Sequence, residues 1–278
     1  MNKIKFYRGE IKKLKAFTLA EVLITLAIIG VVAALTIPTT IKNHWHTEVS
    51  SGAKTSFSIM SNVIRKAVYD HGPTTTWNLG TSGNIDDAEN FIEEYILPYV
   101  KIAKNCGRAK TNDCIYQINN INGERFDWGS TPGNEREFAR FYLANGTAIT
   151  FYLGGSIGSD THEVQLFTDF NGWRGPNKMG VDVQTYTINT HEHNAAGAVR
   201  TNYDQKSKFR LGLPHQATKS TNVTPRYLIS DDYKGCKKSA GIYAGMWCTD
   251  LMHLYSNGRV PSKQQYINWG GTAADYPW

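Results

Sequence analysis

The sequence predicts an α+β protein in which one long N-terminal helix precedes a region of antiparallel strands. Three observations carry this. Residues 17–37 read FTLAEVLITLAIIGVVAALTI, a predominantly apolar run with a single charge at Glu21. Beyond it Val49, Ala53, Phe57, Met60, Ile64 and Ala67 recur every three or four residues, the spacing of one buried helical face. After residue 138 the pattern changes to alternation, and two such runs flank Asn145-Gly146, a strong hairpin signal.

In chain order, residues 1–16 come first and are basic. Lys3, Lys5, Arg8, Lys12, Lys13 and Lys15 face a single Glu10, so this segment holds nearly all of the formal charge of +6. No basic stripe is left for nucleic acid in the remainder. The apolar run that follows is long enough, at ~1.5 Å per residue, to cross a ~30 Å hydrocarbon core. Basic residues in front of it place the N-terminus in the cytoplasm and the rest of the chain outside. Three readings compete for this region. A secretory signal would use Val32-Ala33-Ala34 as its cleavage site, but its apolar stretch would be shorter. A plain membrane anchor leaves Glu21 unexplained, because a carboxylate in hydrocarbon costs ~2.5–3.5 kcal/mol and marks a functional partner.

The third reading rests on a resemblance. KAFTLAEVLITLAIIGVVAALTIP resembles the cleavage and methylation segment of type IV prepilins and type II secretion pseudopilins over residues 12–45. The resemblance implies that a prepilin peptidase cuts between Ala16 and Phe17 and methylates the new amine. It also implies that Glu21 serves subunit assembly and that Pro38 kinks the helix. The residue before the cut departs from the Gly most common in that family, and Ala16 is the small residue found here. An ammonium formed at Phe17 lies one turn from Glu21, and the carboxylate of one subunit can neutralise the ammonium of its neighbour in a packed bundle. The small residues Ala20, Ala27, Gly30, Ala33 and Ala34 allow close helix approach.

The domain reading follows. Residues 1–16 are a basic leader, and residues 17–70 are one helix with a transmembrane segment at 17–37. Residues 71–278 form an extracytoplasmic head, and His71-Gly72-Pro73 stops the helix. A second helix is expected at 85–97, with Phe91, Ile92, Tyr95 and Ile96 as its apolar face and Asp86 and Asp87 suiting its first turn. Strands are expected at 138–143, 148–153, 164–170 and 181–188. A long polar loop should occupy 189–222, and a short helix near 246–255 should end at Asn257-Gly258. The resemblance implies a pilin-like layout, with the sheet laid on the long helix.

Cys106, Cys114, Cys236 and Cys248 fall as two close pairs, as in an exported disulfide-bonded protein. Three pairings are open. Cys106–Cys114 and Cys236–Cys248 close the shortest loops, and zinc ligation is the rival, although no spacing is C-x-x-C. Asp169, Asn171 and Asp182 in FTDFNGWRGPNKMGVD can offer oxygens to a calcium ion, and some major pseudopilins hold calcium in their heads. An Asx-type turn between strands explains the same residues. His191-Glu192-His193 lacks a third ligand nearby, and Trp45 between His44 and His46 suits a membrane interface. Gly154-Gly155-Ser156-Ile157-Gly158 lacks the G-x-S-x-G arrangement, and there is no Walker loop or dinucleotide fingerprint.

The sequence is therefore read as a structural subunit, pilin or pseudopilin, without enzymatic activity. Its length is greater than that of a major pilin, which hints at a minor or decorated subunit. The partners implied by the resemblance are prepilin peptidase, other pilin or pseudopilin subunits and an inner-membrane assembly platform with its ATPase. The rival is a membrane-anchored adhesin or binding protein that does not polymerise.

Overall fold

The computed structural model describes residues 17–80, 85–107, 114, 117–126, 138–154, 163–189, 211–214 and 223–278. Helix α1 runs Leu19–His71. The chain divides into two compact units, Met1–Trp45 and His46–Trp278.

In the first unit the large aliphatic side chains of the apolar run are open to their surroundings, from Leu19, Leu23 and Leu26 to Ile29, Leu35 and Ile37. Pro38 sits inside the helix. It has no N–H for the carbonyl four residues earlier, which opens the ladder locally. Thr36 donates its hydroxyl to the Val32 carbonyl at 2.9 Å and Thr40 donates to the Thr36 carbonyl at 3.0 Å, so side chains add hydrogen bonds on both sides of the proline.

In the second unit α1 becomes amphipathic and buries Val49, Ala53, Met60, Val63, Ile64 and Ala67. It ends as the sequence predicts. Gly72 adopts a φ of 80° and returns its N–H to the Val68 carbonyl at 3.0 Å, and Pro73 blocks continuation. Helix α2, Ile85–Tyr95, lays Ala88, Phe91, Ile92 and Tyr95 on the end of α1. It stops two residues short of the expected 97, and a 3₁₀ turn at Leu97–Tyr99 replaces its last residues. Pro98 disfavours α geometry at Leu97, which accounts for the difference.

Five antiparallel strands follow in sequential order: β1 Ile102–Gly107, β2 Phe138–Leu143, β3 Ala148–Gly154, β4 Glu163–Asp169 and β5 Val183–Asn189. The turn between β2 and β3 is the predicted one. Gly146, at φ 87°, donates to the Leu143 carbonyl, and Leu143 donates to Thr147, both at 2.9 Å. One sheet face presents Phe141, Ile149, Phe151, Leu166, Tyr186 and Ile188 to α1 and α2 in a single core. At ~1.5–3 kcal/mol per fully buried apolar side chain, this face is the main source of head stability.

On the other face Phe167 meets the segment between β1 and β2, and the edge of β5 meets the chain that follows it. Phe126 stacks edge-on to Phe167 at 5.3 Å, and Thr249 accepts the Thr185 N–H at 3.0 Å. After β5 the chain forms α3 Pro225–Ser230, α4 Cys248–Tyr255 and α5 Lys263–Asn268, and α4 packs beside β5. Strand β1, α3 and α5 are additions to the expected elements. β5 begins two residues later than expected, because residues 178–183 form a tight turn in which Gly180 donates to the Val183 carbonyl at 2.7 Å. Helix α4 begins at Cys248, within the expected 246–255, and ends with Gly258 donating to the Met252 carbonyl at 2.8 Å. Of the expected 189–222 loop only residues 189 and 211–214 are described. There Thr187 and Gly212 exchange both backbone hydrogen bonds and close the outer edge of β5.

Candidate functional site

The N-terminal end of α1 is built by Thr18 and Glu21. Thr18 is the N-cap, and its hydroxyl accepts the Glu21 N–H at 3.2 Å. Glu21 Oε2 reaches back to accept the Thr18 N–H at 2.8 Å and the Thr18 hydroxyl at 2.8 Å. This is a capping box, in which two otherwise orphaned N–H groups are satisfied reciprocally. It holds the Glu21 carboxylate one residue from Phe17, whose side chain is 85% exposed. Ala16 lies outside the described residues. The sequence reading above assigned Glu21 but missed Thr18, although T-x-x-E ahead of an apolar run is the signature of this box.

Behind the box, an 18-residue window of α1 has a mean hydropathy of 2.4 and none of it is buried. The helix is long and apolar enough to cross a membrane. Gly30 adds a second feature. A Cβ built there meets nothing within 4 Å, so no contact among the described residues requires glycine. In a helix interior glycine costs ~1 kcal/mol relative to alanine.

The other sequence-predicted residues lie in the head. Cys106 is joined to Cys114 and Cys236 to Cys248. Asp169, Asn171 and Asp182 come together in the β4–β5 loop. Asp169 Oδ1 accepts the Asn171 N–H at 3.2 Å, which is an Asx turn. Fully buried Asp182 accepts the N–H of Asn177 at 2.8 Å on Oδ2 and of Lys178 at 2.7 Å on Oδ1. Burial pushes its carboxyl above the usual range, against the pull of those donors and Asn171. Both oxygens of Asp182 thus clamp backbone. Among the described residues no group of three or more His, Cys, Asp or Glu is placed to hold a metal ion. His191 and His193 lie outside the described residues. His44 is exposed, and His46 meets the ring of Tyr276 at 6.5 Å.

A buried polar pair was not legible in the sequence. Tyr186, on the core face of β5, donates to the Ala53 carbonyl of α1 at 3.2 Å and lies 3.2 Å from His253 Nε2 on α4. With the tyrosine proton on Ala53, His253 is the donor to the phenol oxygen. Burial first, and the Lys54 charge second, lower the His253 pKa from 6.5 to about 4. Burial raises that of Tyr186.

These observations define a class first. Residues 11–37 match the prokaryotic N-terminal methylation motif, the signature of type IV pilins and pseudopilins, and the chain is of the precursor class that a prepilin peptidase processes. The motif and the apolar helix together point to membrane anchoring. The chain itself belongs to the family described as "Family of unknown function (DUF6613)", which it matches over residues 39–264. No curated protein and no solved structure matches it.

Proposed function

We propose that this protein is a structural subunit of a type IV filament or of a type II secretion-like pseudopilus. The observation that carries the proposal is the methylation motif running without a break into a helix that is apolar on every side and capped by Glu21. A helix of that kind needs lipid before assembly and other helices after it. Gly30, which no contact among the described residues requires, fits close approach by a neighbouring helix.

In this reading the precursor spans the inner membrane once, with its N-terminus in the cytoplasm and its head outside. Hydrolysis of the Ala16–Phe17 peptide bond leaves a carboxylate on the leader and an ammonium on Phe17, which is then methylated. The capping box presents Glu21 at the level of that ammonium. Paired across subunits, the two charges neutralise each other and set the register of an otherwise apolar interface, where an unpaired charge is strongly unfavourable. An assembly platform in the inner membrane and further pilin-like subunits complete the system.

Intact mass and N-terminal peptide mapping of protein recovered from its native membrane test the proposal. The expected product begins at methylated Phe17. A chain beginning at Met1 or Leu35 would defeat it.

A further inference from the structure

The two ends of the head present complementary surfaces. At the end of α1, the Tyr95 ring lies 5.0 Å from His71, so α2 marks that pole. Helix α2 reads IDDAENFIEEY, five acids without a single Lys or Arg, and Asp86, Glu93 and Glu94 are exposed. At the opposite pole, where α1 enters the head, His46 meets Tyr276, and residue 275 receives the neighbouring loop. Asp275 Oδ1 accepts the Ser239 N–H at 3.0 Å, and its carbonyl accepts that of Lys238 at 3.4 Å.

That loop, residues 231–243, is pinned by the Cys236–Cys248 disulfide. It exposes Tyr233 by 65% and Ile242 by 53%, and their backbones are drawn close where Tyr243 donates to the Tyr233 carbonyl at 3.2 Å. Lys234 and Lys238 lie in the same loop. With Lys237 the loop has three lysines against two acids, Asp231 and Asp232, a net formal charge of +1. Asp231 Oδ1 accepts the N–H groups of Tyr233 and Lys234 at 2.9 and 2.6 Å, and Asp232 holds Lys237 at 2.7 Å.

We propose that the heads of successive copies meet through these two surfaces, the acidic face of α2 on one copy against the Tyr233–Ile242 loop of the next. The inference rests on the filament-subunit reading. Residues 46 and 71 are separated by about 37 Å of helix at 1.5 Å per residue, so one chain cannot bring its own two poles together. A contact between unlike patches is heterologous and propagates into a filament where it does not close into a ring. Tyr233 and Ile242 supply the apolar centre, and the lysines facing Glu93 and Glu94 fix orientation and partner choice. Anionic lipid would also suit the lysines and the tyrosine, but it would repel the exposed Glu93 and Glu94 and give them no role. A second copy uses both.

Zero-length carbodiimide cross-linking of intact filaments, followed by peptide mapping, tests the contact. The expected link joins Glu93 or Glu94 to Lys234 or Lys238, and at that separation it must run between copies. Filaments that begin at methylated Phe17 but lack the link would overturn the contact and leave the subunit reading standing. Failure to find any processed chain would overturn both. Glu93→Lys with Glu94→Lys, and separately Lys234→Glu with Lys238→Glu, should each lower filament yield about tenfold, and the fourfold swap should restore it. No recovery in a swap variant with an unchanged urea midpoint would refute the pairing. Protection of the two lysines from acetylation in membranes but not in filaments would assign the loop to lipid and overturn it as well.

Discussion

Acidification should destabilise the head through His253. Its pKa is about 4 in the folded protein against an ordinary 6.5, so between those values the unfolded chain binds the extra proton and the folded chain does not. Stability therefore rises with pH across that window and is lost as pH falls through it. The loss is about 2 kcal/mol by pH 5 and roughly 3 kcal/mol by pH 4 relative to neutral pH. Because His253 donates to Tyr186 in either charge state, the loss comes from burying charge near Lys54 and not from a broken hydrogen bond. Asp182 acts in the opposite direction. Its raised pKa makes the folded state the better proton binder just above 3.8, so its contribution grows on acidification. Comparison with His253→Gln, whose amide can still donate to Tyr186, separates the two. Urea unfolding of the detergent-solubilised full chain, followed by near-ultraviolet circular dichroism from pH 7 to pH 4.5, is the assay. The wild type should lose about 2 kcal/mol more than the variant. Parallel pH profiles would refute the assignment of a neutral buried imidazole.

Further outcomes follow from the remaining sites. Glu21→Ala should leave cleavage at Phe17 intact, as read by N-terminal mapping, while incorporation into filaments is lost; normal incorporation would count against the charge pairing. Cys236→Ser with Cys248→Ser opens a loop of separation 12 and should lower stability by about 3 kcal/mol in urea titrations. Tyr186→Phe removes the hydroxyl that joins β5 to Ala53 and should lower stability by about 1–2 kcal/mol, with faster amide exchange in α1 around residue 53. Asp182 already holds two backbone N–H groups, so chelation with EGTA should move the thermal midpoint by less than about 1 °C; a rise of several degrees on adding calcium would instead place the ion at Asp169, Asn171 and Asp182.

Several parts of this protein could be read from the sequence because their causes are local. The apolar run of 17–37 and the three- and four-residue spacing from Val49 to Ala67 specify α1, and Gly72-Pro73 ends it by backbone geometry alone. Asn145-Gly146 makes its hairpin for the same reason. The Thr18–Glu21 box is equally local, since T-x-x-E ahead of an apolar run is its signature.

Other features depended on residues far apart in the chain. Strand β1 has a largely exposed, irregular register as an edge strand, so it lacks the alternation that would mark it. The short helices α3 and α5 depend on their packing, since six residues are too few to form a stable helix alone. His253 and Tyr186 are 67 residues apart, and only the docking of α4 beside β5 desolvates them as a pair. The placing of α2 and of the 231–243 loop is likewise a product of the fold. Composition shows an acidic α2 and lysines near residue 236, but the length of α1 between His46 and His71 sets them at opposite ends. Local backbone preference and hydrophobic period were written in the sequence, whereas burial, charge separation and the partners they create required the chain to be folded.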